Sequence, residues 1–213
     1  MTFPRKESRI MTPQLYTGLI RQGVNFSDDY RRWNKATMIQ KLALVMGIDY
    51  LYDPDDTYVL TVDNLIKILA IQMRFRCGIP VVIMGETGCG KTRLIRYMCD
   101  LAREGREARN MLILKVDFTC CSTKIIFKLL IHFFNWQIHG GTKESDITEF
   151  IAVAEKQARI NKEMKMDTVV FFDEANTTDA IGLIKEVMCD RRIHGRPVSR
   201  DLKFIAACNP YRR

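Results

Sequence analysis

The sequence has no pair of cysteines at C-x-x-C spacing, although it holds seven cysteines in 213 residues. Only Cys120 and Cys121 are adjacent. This scatter argues against both a zinc site and a disulfide framework, and it fits thiols kept reduced in a cytosol. The three histidines, His132, His139 and His194, share no metal-ligand spacing and read as surface or packed residues. Apolar runs stay short of the roughly 20 residues needed to cross a bilayer. The start, Met1-Thr2-Phe3-Pro4-Arg5-Lys6-Glu7, is charged and leads into no apolar stretch of the signal-peptide kind. A cytoplasmic protein without a membrane span is therefore expected.

Positive charge, by contrast, is in excess. The net charge is +8, and part of it lies in Arg191, Arg192, Arg196, Arg200, Lys203, Arg212 and Arg213. Such a balance suits a polyphosphate ligand and also nucleic acid. No RNA- or DNA-reading motif accompanies it, so a solvated or subunit-facing basic surface is the favoured reading. Apolar residues make up 47% of the chain, enough for one α/β domain with a full core.

The most informative stretch is Gly85-Glu86-Thr87-Gly88-Cys89-Gly90-Lys91-Thr92, which fits G-x-x-x-x-G-K-[ST]. A glycine-rich turn that happens to precede a lysine would be the plainer explanation, but the context decides against it. Val81-Val82-Ile83-Met84 reads as a short buried strand, and Arg93 to Met98 continues at helical spacing. The loop glycines, Gly85, Gly88 and Gly90, are expected to take positive φ so that backbone N–H groups face phosphates. The helix opening near Lys91 adds its positive dipole end. Lys91 would reach the β- and γ-phosphates of a nucleoside triphosphate, and the Thr92 hydroxyl would bind Mg²⁺.

Val169-Val170-Phe171-Phe172-Asp173-Glu174 is an apolar run ending in two carboxylates, the form of a Walker B strand. Burial in a parallel sheet would deliver Asp173 beside the glycine loop, where it would hold Mg²⁺ through water. Glu174 would polarise the water that attacks the γ-phosphate. Lys203-Phe204-Ile205-Ala206-Ala207-Cys208-Asn209-Pro210 is a third strand candidate. It ends in Asn209, placed to touch the γ-phosphate or the attacking water, as at a sensor-1 position. Pro210 then stops the ladder. The alternative is that Asn209-Pro210 merely initiates a turn.

Together these three motifs resemble the AAA+ ATPase core. Their wording narrows the match. Phe75 to Met84 leads into the loop, Phe171-Phe172-Asp173-Glu174-Ala175-Asn176-Thr177-Thr178 forms the acidic strand end, and Ala206-Ala207-Cys208-Asn209-Pro210-Tyr211-Arg212 closes the third strand. The stretch from about Pro54 to Arg213 is similar to a nucleotide-binding AAA+ unit of the mysterin family, giant ring-finger ubiquitin ligases with a dynein-like AAA+ core. The resemblance implies an α/β P-loop NTPase fold, a parallel sheet with helices on both faces. It also implies ATP and Mg²⁺ as ligands and neighbouring AAA+ units as partners. No ring-finger Cys/His array is present, so no ligase residue is assigned.

The domain plan is a polar and helical lead-in over 1–48, followed by an AAA+ core over 49–213. Within it, helices are expected at Ala36–Met46 and Leu65–Arg76, the latter with Leu65, Ile66, Leu69 and Met73 inward. A strand is expected at Met111–Val116, and helices at Ile147–Lys162 and Thr178–Asp190. The core ends soon after the third strand, so a C-terminal lid is expected to be missing. The arginine finger that such proteins take from beyond this strand or from a neighbour would then come from outside. Losing such an arginine costs about 10³–10⁵ in rate, so the chain alone is expected to bind nucleotide and hydrolyse it slowly.

Residues 117–138 interrupt the pattern. Joining Leu114-Lys115-Val116 directly to His139-Gly140-Gly141-Thr142 restores the family-like wording, so the segment reads as an insertion. Three explanations stand side by side: a packed helical insertion, an amphipathic element in contact with lipid, and non-coding sequence carried into the reading frame. For the whole chain, the leading expectation is an ATPase module that drives conformational change in a larger ubiquitin-ligase protein. The alternatives are a structural nucleotide binder with little turnover and a non-functional fragment.

Overall fold

A computed structural model describes residues 12–22, 25–26, 28–103, 133–137, 142–163 and 166–210. Helix α1, Pro13–Arg21, is capped by Thr12 and buries none of its residues. Helix α2, Lys35–Met46, starts where Asn34 accepts the Thr37 N–H and stops at Gly47, whose φ of 71° suits glycine. Helix α3, Val62–Arg76, is capped by Thr61 through the Asn64 N–H. Strand β1, Val81–Met84, leads through the glycine loop into helix α4, Lys91–Leu101. Strand β2 is Phe133–Gln137, helix α5 is Glu144–Glu163 and strand β3 is Thr168–Asp173. Helix α6, Ile181–Lys185, runs on into a π turn, Glu186–Asp190. A short antiparallel hairpin, β4 (Arg192–Ile193) and β5 (Arg196–Pro197), precedes strand β6, Leu202–Cys208.

The main sheet is parallel, in the order β1-β6-β3-β2. Parallel strands need cover on both faces, and alternation along β3 and β6 provides two apolar faces. Val169, Phe171, Ile205 and Ala207 join α2, α3 and α4 in one core cluster. Val170, Phe172, Leu202, Phe204 and Ala206 join α5 and α6 in the other. The Phe172 and Phe204 rings stack in that second cluster, with centroids 6.2 Å apart. The α/β architecture expected from the motifs is thus present, with helices on both faces.

Several details differ from expectation. Helix α3 buries Leu65, Ile68, Ile71 and Phe75, whereas Ile66 and Met73 are about half exposed. The helix is apolar on more than one side, so its inward face is rotated from the expected one. Helix α6 begins at Ile181 rather than Thr178, and Ile181 itself is exposed. Helix α2 contributes Met38, Ile39 and Leu42 to the same cluster as α4, so the proposed boundary at 48/49 runs through a shared core. The strand expected at Met111–Val116 lies outside the described residues, as does most of the suspected insertion. The exception is Phe133–Gln137, which pairs with β3 from Phe133↔Val169 to Gln137↔Asp173.

Candidate nucleotide site

Because the sheet is parallel, the C-terminal ends of β1, β3 and β6 share one edge, the place where open α/β sheets carry ligand sites. Strands β3 and β6 are buried apolar runs, and their burial brings the polar residues Asp173 and Asn209 to this edge. Strand β1 leads into the glycine loop and, against the expectation of a buried strand, leaves Val82 and Met84 exposed.

After β1, the loop turns on Gly88 and Gly90, with φ of 82° and 83°. Both lie in the left-handed region that favours glycine. Gly85 takes no positive φ, which corrects the expectation for that position. A Cβ there would lie 2.8 Å from Sγ of the exposed Cys89, whose side chain would have to turn aside. Glu86, Thr87, Gly88, Cys89 and Gly90 are exposed, and Lys91 and Thr92 are half-buried at the start of α4. The Lys91 ammonium donates to Gly85 O at 2.7 Å, Glu86 O at 2.9 Å and Asn209 Oδ1 at 3.0 Å. Thr92 Oγ1 donates to Asp173 Oδ2 at 2.7 Å.

At the end of β3 the backbone turns sharply. Glu174 takes φ 54° and ψ 39°, a left-handed conformation that is uncommon for a residue with a side chain. The turn is closed by the Thr177 N–H and Thr177 Oγ1, both donating to Glu174 O. Asp173 Oδ1 accepts the Glu174 N–H at 3.1 Å. Asn209 Nδ2 donates to Glu174 Oε1 at 3.4 Å, so the Asn209 amide spans Lys91 on one side and Glu174 on the other. All the residues expected to act on nucleotide, from Gly85 to Thr92 with Asp173, Glu174 and Asn209, are thus joined by the loop and its hydrogen bonds.

Two groups lay beyond the sequence reading. Asn176 sits in the 3-10 turn Ala175–Thr177 and bonds both backbone groups of Asn209. Its only sequence signal is that asparagine after a strand favours local backbone bonding. The second group surrounds Arg93, the residue after Thr92. Arg93 donates to Asp55 Oδ2 at 2.9 Å and Thr57 Oγ1 at 2.6 Å and lies over the Tyr58 ring. The bond from Thr57 and then the Arg93 guanidinium hold the Asp55 carboxyl down to about 2. Tyr58 in turn stacks on Tyr97 of α4, with ring centroids 4.4 Å apart. At the edge of the site, burial pushes the Cys208 thiol up, against the opposing pull of Lys91.

The family model described as RNF213 AAA domain matches residues 58–132 and 133–212. The chain belongs to the RNF213 AAA domain family. It is 47% identical over 212 residues to "E3 ubiquitin-protein ligase rnf213-beta" of Danio rerio, covering 96% of this chain and 4% of that protein. It is also 47% identical over 207 residues to "E3 ubiquitin-protein ligase RNF213" of Mus musculus and of Homo sapiens, again with 96% of this chain and 4% of each relative covered. The mysterin-family resemblance read from the motifs is borne out. An AAA domain of the RNF213 family is a nucleotide-binding type of domain, set in these relatives within a far longer protein. Among the described residues, no helix is long and apolar enough to cross a membrane.

Proposed function

We propose that this chain is an ATP-binding AAA+ unit that hydrolyses ATP to ADP and phosphate and passes the change to neighbouring AAA+ units of a larger, RNF213-like ubiquitin-ligase protein in the cytoplasm. The observation that carries this reading is the hydrogen-bond chain at the sheet edge. Thr92 to Asp173, and Lys91 through Asn209 to Glu174, gather groups from two strand ends and one helix start.

The residues suit the ligands. A hydroxyl and a carboxylate 2.7 Å apart form a hard-oxygen pair of the kind Mg²⁺ takes from a protein, the rest of its shell being phosphate and water. Thr92 and Asp173 would hold the ion, which supplies charge neutralisation on the phosphates. The loop from Gly85 to Gly90 offers backbone N–H groups, and Lys91 offers a mobile cation for the β- and γ-phosphates. Glu174 would orient and polarise a water. Its oxygen bonds to the γ-phosphorus as the bond to the β–γ bridging oxygen breaks, and the water's proton passes to the carboxylate or to phosphate. Asn209 would fix the geometry between Lys91 and Glu174.

The reading is tested by titrating the chain with a fluorescent ATP analogue and Mg²⁺, beside Lys91→Ala. Saturable binding that falls at least 100-fold in the variant is expected, since a unit charge 4 Å from a phosphate is worth about 4 kcal/mol at an effective dielectric near 20. Equal binding by both proteins would overturn the site. Turnover is tested separately with Glu174→Gln. Loss of hydrolysis with binding intact supports an ATPase, and unchanged traces in both forms support a structural nucleotide binder instead.

A further inference from the structure

We propose that Asn176 is a positioning residue that holds Asn209 between Lys91 and Glu174 and thereby sets how well the site tells ATP from ADP. The proposal rests on the ATP reading above.

Backbone pairing runs out at the edge of the site. Strands β3 and β6 pair in register as far as Phe172↔Ala206. Beyond that point the two chains part, because Glu174 turns into the left-handed region. On the β1 side the ladder ends with Gly85 N–H donating to Cys208 O at 3.2 Å. Asn209 is the next residue, and its backbone is held from the β3 side by one side chain. Asn176 Nδ2 donates to Asn209 O at 2.8 Å, and Asn176 Oδ1 accepts the Asn209 N–H at 3.3 Å. A primary amide carries a donor and an acceptor side by side, so it can occupy both backbone groups of one residue as a neighbouring strand would. A carboxylate has no donor, and a hydroxyl carries both functions on a single atom.

The consequence lies in the Asn209 side chain. Its amide meets the Lys91 ammonium at Oδ1 and the Glu174 carboxylate at Nδ2. The former is the cation proposed for the terminal phosphates, and the latter the group proposed to hold the attacking water. A backbone fixed at both its N–H and its C=O gives this side chain one starting point. Asn176 belongs to the turn that begins at Glu174, so the acidic turn and the β6 end are fastened to each other. Any group that must be placed on a γ-phosphate is placed through this fastening.

The test measures affinity for MgATP and MgADP on the full 213-residue chain. Four proteins are compared: wild type, Asn176→Ala, Asn209→Ala and the double variant, with melting temperature recorded for each. Asn209→Ala is expected to lower the ATP-to-ADP affinity ratio by roughly 10–100-fold, the worth of a hydrogen bond to a charged group, and Asn176→Ala, which only loosens that group, by roughly 3–10-fold. In the Asn209→Ala background, Asn176→Ala should change the ratio by less than about twofold, because the side chain it positions is already gone. Its melting-temperature loss should be the same in both backgrounds, since the two bonds it makes to Asn209 go to backbone. Near-isosteric Asn176→Asp keeps the volume but sets a carboxylate oxygen against the Asn209 carbonyl. It should reproduce the loss in ratio if the alanine variant does not fold. The proposal is overturned if Asn176→Ala leaves the ratio intact, if its effect adds in full to that of Asn209→Ala, or if Asn209→Ala itself has no effect. Nucleotide binding that is absent from the wild type, or present and unaltered by Lys91→Ala, would instead sink the ATP reading, and this proposal with it.

Discussion

Leu42 and Leu44 lie two residues apart on helix α2, and the same substitution should be costly at the first and nearly neutral at the second. Leu42 is 0% exposed, in the cluster that also holds Ile68 of α3, Ile95 of α4 and Phe171 of β3. Leu44 is 73% exposed. Truncating a fully buried leucine to alanine removes its transfer free energy and leaves a cavity, together about 2–5 kcal/mol. In a domain of 150–250 residues each kcal/mol moves the melting temperature by roughly 2–4 °C. Leu42→Ala should therefore lower the melting temperature by about 4–20 °C, and Leu44→Ala by no more than about 2 °C, the usual range for surface changes. Circular dichroism scans at 222 nm and urea titrations check both. The reasoning fails if the two variants melt alike. It also fails if Leu42→Ala produces a separate early loss of helix with the main transition unmoved. That pattern would make α2 a detachable lead-in rather than part of the core beneath α4.

Two further outcomes follow from buried and charged contacts. Thr168 and Asn161 are both buried; Thr168 Oγ1 accepts from Asn161 Nδ2 at 2.7 Å, and Gln157 Nε2 donates to Asn161 Oδ1 at 2.7 Å. Thr168→Val leaves a buried amide donor unpaired and should cost about 1–3 kcal/mol in urea unfolding, so a change under about 0.5 kcal/mol would break the argument. Asp55 is held below its ordinary value, first by the Thr57 hydroxyl and then by Arg93. A depressed carboxyl stabilises the fold above the unfolded value near 4, and the contribution is lost as pH falls towards about 2. The stability gap between wild type and Asp55→Asn should be level above pH 5 and shrink as pH falls below 4; a gap that widens with acid would refute it.

Much of the candidate site was legible because strand and function are written in the same few residues. In β3 and β6 an apolar run demands burial, and the polar residue that ends or follows it must then appear at the sheet edge. The glycines at 88 and 90 follow from the positive φ their turn requires. Legibility failed where one pattern supports two structures. Helix α3 has apolar residues at Leu65 and Ile68, but also at Ile66 and Met73, so periodicity alone does not choose the inward face. The role of Asn176 was hidden because it bonds to backbone atoms of Asn209, and backbone atoms leave no trace in a sequence. The Arg93–Asp55 pair was hidden by the distance along the chain between a loop and a helix that only packing brings together.

The alternation along β3 also limits what lengths this strand can have. Val169 and Phe171 point into one core, Val170 and Phe172 into the other. One residue gained or lost between 168 and 172 would exchange the two sets and turn Asp173 to the opposite side of the sheet. Two residues gained would restore the sides but carry Asp173 about 7 Å along the strand, well past its 2.7 Å bond to Thr92. Neither odd nor even indels are tolerable there. Length variants that keep the site should gather instead in connectors such as the exposed hairpin tip at 194–195, which is remote from that phase constraint.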